Sequence, residues 1–282
     1  MASSDRLLHG LKAWTPALLR RWLRQPYYAG FRIVLLVRCW YADLLSGREA
    51  RRAMPMPPAL LRYRVSEDLD PHLCLNVGER TCQDMQAALL EAGRRLTDFH
   101  SILDFGCGCG RTLMWLTRQL RGADLHGADV DPDAVAWCVA HLPGAHFQAN
   151  AALPPLDYPA ETFDLIYAIS VFTHLHADGQ KQWLAELARL LRPGGILLLT
   201  VYGERVRRGW DQNRLRRLER EGFLFETSRK LRGIVPDWYH TAHHTREYAV
   251  SLVAGHFRVL RYLPGGMGYQ DVLIAELPAP GA

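Results

Sequence analysis

An acid and three glycines stand together in Asp104-Phe105-Gly106-Cys107-Gly108-Cys109-Gly110, directly after the apolar start Ser101-Ile102-Leu103. The order reads as a buried strand, a tight turn and the start of a helix, whose first N–H groups can face an anionic part of a ligand. Such a turn also occurs without any ligand, and dinucleotide-binding proteins place glycines there too. Here the spacing is GxGxG rather than GxGxxG, and Asp104 comes immediately before the loop. A carboxylate at that point opposes a pyrophosphate and suits a cationic amine. Further on, Asp129 closes Leu125-His126-Gly127-Ala128-Asp129, where an acid about twenty residues past the glycines can accept both hydroxyl protons of a ribose. Asp131 is its rival, although Asp131-Pro132 reads as a helix cap followed by proline at the first helical position. For proton transfer the candidates are His174 and the cluster His240, His243 and His244. That cluster has no identifiable third or fourth zinc ligand, so no metal is expected.

The elements that must position these residues alternate. Strands are expected near 101–105, 124–130, 145–149, 164–170 and 195–202, and helices near 111–121, 132–141 and 178–191. Alternation of this kind implies a parallel sheet covered on both faces. Arg192-Pro193-Gly194-Gly195 is expected to end the third helix and turn the chain into the next strand. Two β-type runs, Phe257 to Leu263 and Gly268 to Leu277, close the chain, joined by Pro264-Gly265-Gly266. Before the core, Leu7, Leu8, Leu11, Trp14, Leu18, Leu19 and Trp22 fall on one side of a helical wheel, with Thr15-Pro16 breaking the stripe into two helices. Met54-Pro55-Met56-Pro57-Pro58 reads as a linker, and a further helix is expected from Gly78 to Leu96.

Composition bounds the function class. The chain of 282 residues is long enough for one large core. No apolar run reaches the ~18–20 residues of a membrane span; the longest candidate, Ile33 to Val37, lies between Arg32 and Arg38. Cys39, Cys74, Cys82, Cys107, Cys109 and Cys138 form no CxxC pair and no disulfide framework, which fits a reducing, cytoplasmic setting. Cys107 and Cys109 read as small packing residues between the glycines. The net charge of +5 is uneven: residues 1–64 hold twelve Arg or Lys against three acids. Such a segment suits an anionic membrane surface, giving a membrane-peripheral protein, and equally a helix packed on the domain with a solvated basic face. Its Arg-rich, acid-poor start also faintly resembles a transit peptide and lacks the apolar core of a secretory signal.

In order and spacing, five stations resemble the motifs of the class I S-adenosylmethionine (SAM) dependent methyltransferases. They are Ser101 to Arg111, Leu125 to Asp131, Phe147 to Pro154, Phe163 to Leu175, and Trp183 to Ile196. The resemblance implies an α/β, Rossmann-like, doubly wound and mostly parallel seven-stranded sheet with an antiparallel C-terminal hairpin. It implies a basic helical N-terminal extension over 1–97 and a SAM-binding domain over 98–282, with an inserted lid at 203–247. SAM, leaving as S-adenosylhomocysteine (SAH), would be held by Asp104, Gly106, Cys107, Gly108, Gly110, Asp129, Val130, Asn150, Ala151 and Ser170. Asn150 would lie beside the adenine. The implied activity is methyl transfer to oxygen on a small-molecule or glycan-type acceptor, with His174, His240 or His243 as base. Trp238 and Tyr239 would stack on the acceptor or pack in the lid. N- or C-methylation, a SAM-fold protein without turnover, and a NAD enzyme remain alternatives. The fourth strand leads into Ser170-Val171-Phe172-Thr173 rather than the Asn/Asp-Pro-Pro-Tyr of adenine-modifying relatives, so a nucleic-acid partner is not expected.

Overall fold

In the computed structural model the described residues are 17–45, 54–227 and 240–279, with side chains from Ala29 onward. Leu7 to Trp14, the Thr15-Pro16 cap, Trp238 and Tyr239 lie outside them. The centre is a seven-stranded sheet in the order β3-β2-β1-β4-β5-β9-β8. Its parallel part comprises β1 (Ser101–Phe105), β2 (Asp124–Asp129), β3 (His146–Ala149), β4 (Phe163–Ala168) and β5 (Leu191–Val201). β8 (Arg258–Met267) and β9 (Gln270–Glu276) form the antiparallel hairpin at the other edge. The fold expected from the sequence is therefore the fold observed.

The central strands are apolar on both sides because both faces are covered. Leu103, Ile166 and Leu197 point into one core with Trp183 and Leu187. Their neighbours Ile102, Leu165 and Ile196 point into the other with Met85, Leu89 and Leu116. This is the period-two alternation of a strand.

Side-chain caps set five helix starts among the described residues, with Asp211 and Thr245 capping the two helices of the C-terminal part and three more around the sheet. Asp131 accepts the N–H groups of Asp133 and Ala134 at the start of α5 (Pro132–His141). His176 accepts that of Gly179 at the start of α6 (Ala177–Leu190). Asp70 accepts that of His72 at the start of α3 (Pro71–Glu91). The last case corrects the expected span of 78–96. The helix begins at the Asp70-Pro71 cap, and Gly78 lies inside it. A Cβ on Gly78 would stand 2.3 Å from the Arg111 carbonyl oxygen, so this glycine marks a close approach of α3 to the glycine loop.

Two turns also differ from expectation, for one reason: the strands continue through them as bulges. Leu191 pairs with Phe163 and Ile196 with Leu165, so Arg192 to Gly195 are looped out within β5. Likewise the closing hairpin turns at Gly268-Tyr269, between paired Met267 and Gln270. Pro264 to Gly266 form a bulge within β8, held where the Gly265 N–H donates to Asp271 Oδ1 at 2.7 Å.

Ahead of the sheet, α1 (Ala17–Leu45) packs on α2 (Ala59–Ser66) through Leu35, Cys39 and Ala59. Arg62 is fully buried between them and donates to the carbonyls of Pro57 (2.7 Å) and Leu69 (2.9 Å), with Asp43 at 3.7 Å. Met54 and Leu61 continue into a cluster with Cys109, Met114, Trp137 and Cys138. α4 (Leu113–Gln119) follows the glycine loop. Between β5 and α8 (Arg246–Ala254) lie α7 (Gln212–Glu221) and an antiparallel pair, β6 (Phe223–Glu226) with β7 (Thr241–His244). Among the described residues no helix is long and apolar enough to cross a membrane.

Candidate active site

A cavity of about 460 Å³ opens where β1, β2, β3 and β4 end. In the strand order the chain reverses direction between β1 and β4, and the crevice outside that switch point is where open α/β sheets bind ligands. Its floor is the glycine loop. Gly106, Gly108 and Gly110 have φ of +85°, +53° and +68°, a region that L side chains rarely adopt. A Cβ on Gly106 would also meet Val171 Cγ2 at 2.2 Å, and one on Gly108 would meet Val65 Cγ1 at 2.7 Å. Both valines line the cavity. Gly110 lies behind the loop, against Leu142 and Cys138, and is not among the lining residues.

Three carboxyls line the cavity, those of Asp104, Asp129 and Asp131. Asp104, at the end of β1, is almost wholly buried, and burial pushes its pKa up to about 8. The Tyr167 hydroxyl and Arg111 oppose that shift, and Asp129 adds to it. A cation placed against Asp104 would restore its charge. Asp129 ends β2 and accepts the N–H of Gly108 at 2.7 Å and that of Asp131 at 2.8 Å. Burial raises its pKa too, opposed by those backbone donors. Asp131 caps α5 and pairs with Arg64 of α2 at 2.8 Å. Val130 stands between the two acids on the cavity wall.

On the β3 side Asn150 and Ala151 line the cavity. Asn150 Nδ2 donates to the Ala151 carbonyl at 2.7 Å, while its buried Oδ1 has no hydrogen-bond partner. That orphan acceptor suits an exocyclic amine such as the adenine 6-amino group. Past β4, Ser170 carries a side chain at φ +62°. It is pinned there by its N–H donating to Thr200 Oγ1 (2.8 Å), by Gln270 Nε2 donating to its Oγ (2.7 Å), and by Thr173 Oγ1 donating to its carbonyl (2.8 Å). A non-glycine residue held in the left-handed region is a strained feature of the kind that clusters at functional sites.

The histidines divide. His174 and His240 line the cavity, and the His240 carbonyl lies 2.6 Å from His174 Nδ1. A carbonyl only accepts, so Nδ1 carries the proton and Nε2 the lone pair. Burial lowers the His174 pKa, which the His240 carbonyl partly offsets. The His240 ring packs edge-on against Phe225 with its Nδ1 buried and unpartnered. His243 is not among the lining residues. It is buried between Tyr202 and Trp210, 3.6 Å from Glu226, and burial drives its pKa down to about 4. His244 is fully enclosed on Gln180, with a pKa lowered to about 3 by burial. Among the described residues no His/Cys/Asp/Glu group suits a metal.

The cavity thus gathers Asp104, Gly106, Cys107, Gly108, Asp129, Val130, Asn150, Ala151 and Ser170 with His174 and His240. Sequence reasoning missed Leu61, Arg64 and Val65, which α2 brings to the same wall from far up the chain. It also missed Trp183, whose indole N–H donates to the Ala152 carbonyl at 3.2 Å, and Phe225. Arg111 had a signal, since it directly follows the last glycine of the loop.

Comparison with known proteins agrees with this geometry. Residues 102–195 match the family described as a methyltransferase domain. The chain is similar to a phosphoethanolamine N-methyltransferase of Plasmodium falciparum, 29% identical over 119 residues, which is 41% of this chain and 44% of the relative. It is also similar to phthiotriol/phenolphthiotriol dimycocerosates methyltransferase 1 of Mycobacterium ulcerans, 30% identical over 172 residues, 58% of each. The chain spans about half the length of the curated relatives it matches. Among solved structures, 1,6-didemethyltoxoflavin-N1-methyltransferase of Burkholderia thailandensis, with 1,6-didemethyltoxoflavin and SAH bound, has a TM-score of 0.52 at 20% identity. It covers 78% of this chain and 88% of its own, and at that identity it supports the fold alone.

Proposed function

The chain belongs to the class I SAM-dependent methyltransferases, and from that premise we propose that it methylates a hydroxyl of a small-molecule or glycan-type acceptor, releasing SAH. The cavity fits the cofactor of this family. Asp104 is a buried carboxyl short of a compensating cation, and Asn150 Oδ1 is a buried acceptor short of a donor. In this reading Asp104 faces the methionine amine, Asp129 the ribose and Asn150 the adenine. Gly106, Cys107, Gly108 and Val130 line the same site, with Gly110 shaping the loop from behind.

Bound SAM supplies a methyl group on a sulfonium, with a leaving group that is already good. The protein's part is alignment and exclusion of water, which can supply up to ~7–11 kcal/mol of the barrier in favourable cases. Ala151 and Ser170 complete the cofactor side in this reading, and Trp183, Phe225 and Leu175, which line the same cavity, would bound the acceptor. Phe225 and His240 come from the 203–247 insertion, which supports reading that segment as a lid beyond a 1–97 extension.

His174 carries the oxygen reading. Its Nδ1–H is committed to the His240 carbonyl at 2.6 Å, so Nε2 is the basic nitrogen. With its pKa below the usual histidine value the ring is neutral at pH 7 and ready to take a hydroxyl proton. An amine acceptor that arrives deprotonated would not need such a base. The test is transfer of labelled methyl from SAM to parallel panels of hydroxyl-bearing small molecules and saccharides, and of primary amines. Label is expected in the hydroxyl panel; label confined to the amines would overturn the oxygen assignment.

A further inference from the structure

The outer face of α1 is apolar, and nothing among the described residues covers it. Ile33, Val37, Trp40 and Leu44 follow i, i+4, i+7, i+11 spacing and form one line along the helix, with Val34 and Tyr41 beside it. All six are exposed; Trp40 and Leu44 are each 67% exposed. The opposite line, Leu35 and Cys39, is buried against Ala59. At about 100° per residue, Arg32 and Arg38 fall on either side of the buried line. In the sequence the apolar spacing runs back through Leu19, Trp22 and Leu23, interleaved with Arg20, Arg21 and Arg24.

We propose that this face seats the protein on an anionic phospholipid bilayer, with α1 lying in the lipid interface. The charge pattern selects that occupant. Five arginines and a single acid, Asp43, lie on α1. Asp43 is turned inward: its oxygens accept the Ala59 N–H at 2.8 and 3.0 Å, and Arg62 lies 3.7 Å away. A second copy of the chain packed on this face would set arginine flanks against arginine flanks. An anionic headgroup layer meets them with the opposite sign, while Trp40 and Tyr41 suit the boundary between headgroups and acyl chains. The helix lies on the bilayer rather than crossing it, since it is not apolar enough to span. The inference stands apart from the methyl-transfer reading and needs no acceptor to test.

The experiment is sedimentation of the full chain with phosphatidylcholine vesicles, with and without phosphatidylglycerol, at low and high salt. Binding is expected only with phosphatidylglycerol, and weaker at high salt because exposed charge is screened. The variant Val37→Ser/Trp40→Ser/Leu44→Ser should bind about tenfold more weakly or worse, with SAH affinity and melting temperature unchanged. Equal sedimentation of variant and parent, or no preference for the anionic vesicles, overturns the proposal. So does a vesicle-free dimer of the parent that the variant dissociates, which would assign the face to a second copy.

Discussion

At the scale of single residues, the site turns on groups whose burial sets their charge. Asp104 has a carboxyl pKa of about 8, so below that pH the cofactor-free protein holds it protonated. A cationic amine favours the ionised form, so SAH affinity should rise between pH 6 and pH 8. Asp104→Asn should flatten that rise and cost about tenfold or more in affinity, read by titration calorimetry. The same raised pKa has an opposite consequence for stability. Between the unfolded carboxyl value of about 4 and the folded value the native state holds the extra proton, so the stability Asp104 confers at low pH is lost as pH climbs through that window. Urea midpoints across the window should show the loss in the parent and not in Asp104→Asn. For His174 the sign reverses. Its lowered pKa means the active neutral form is already present at pH 7, so single-turnover rates should be flat near neutrality and fall on acidification. His174→Ala should lower that rate by about 10²–10⁴ while SAH affinity holds. A rate unchanged in this variant would remove the residue from the chemistry. His243→Ala, off the cavity wall, should act on stability instead.

At the scale of elements, the glycine loop and α2 are built against each other. Gly106→Ala would force a Cβ to within 2.2 Å of Val171 Cγ2 and leave a side chain at φ +85°. Adding Val171→Ala should recover only part of the lost SAH affinity, because relieving the clash leaves the backbone cost of roughly 1–2 kcal/mol. Full recovery would show that the contact alone demands glycine. Arg62 is the corresponding fixed point between α1 and α2. Arg62→Ala leaves the Pro57 and Leu69 carbonyls without their donor and takes the cation from beside Asp43, which keeps the Ala59 N–H. It should destabilise the protein by about 2–4 kcal/mol in urea denaturation, the scale of two lost hydrogen bonds from a charged donor.

For the molecule as a whole, the N-terminal helices and the sheet share the cavity. α2 contributes Leu61, Arg64 and Val65 to its wall, and Arg64 ties α2 to Asp131 and Asp133 at the head of α5. Ligand binding should therefore steady α2 along with the loop. SAH is expected to slow amide hydrogen exchange in residues 59–66 as well as in 106–110, by mass spectrometry. Protection confined to the loop would mean that α2 borders the site without responding to it. The charge asymmetry lies on this scale too, since the excess positive charge of residues 1–64 includes the helix with the uncovered apolar face.

Local chemistry is legible in the chain wherever neighbours in sequence do the work. The period-two apolar strands, the Asp131-Pro132 cap and the acid before GxGxG depend on residues a few positions apart, and the structure places them as the spacing requires. Expectation and structure part at the closing turn and at Gly78, where a distant contact decides; the α3 start differs although its Asp70-Pro71 cap is as local as Asp131-Pro132. Gly78 is a glycine because of the Arg111 carbonyl, and Pro264 to Gly266 bulge because Asp271 holds them. The tautomer of His174, the left-handed Ser170 and the arrival of Arg64 and Val65 at the cavity rest on partners 66, 100, 67 and 43 residues away. Backbone propensity acts over one turn or one strand, whereas proximity across the sheet exists only after the chain has closed on itself. Only then could side chains 67 residues apart, Arg64 and Asp131, meet across the wall of one cavity.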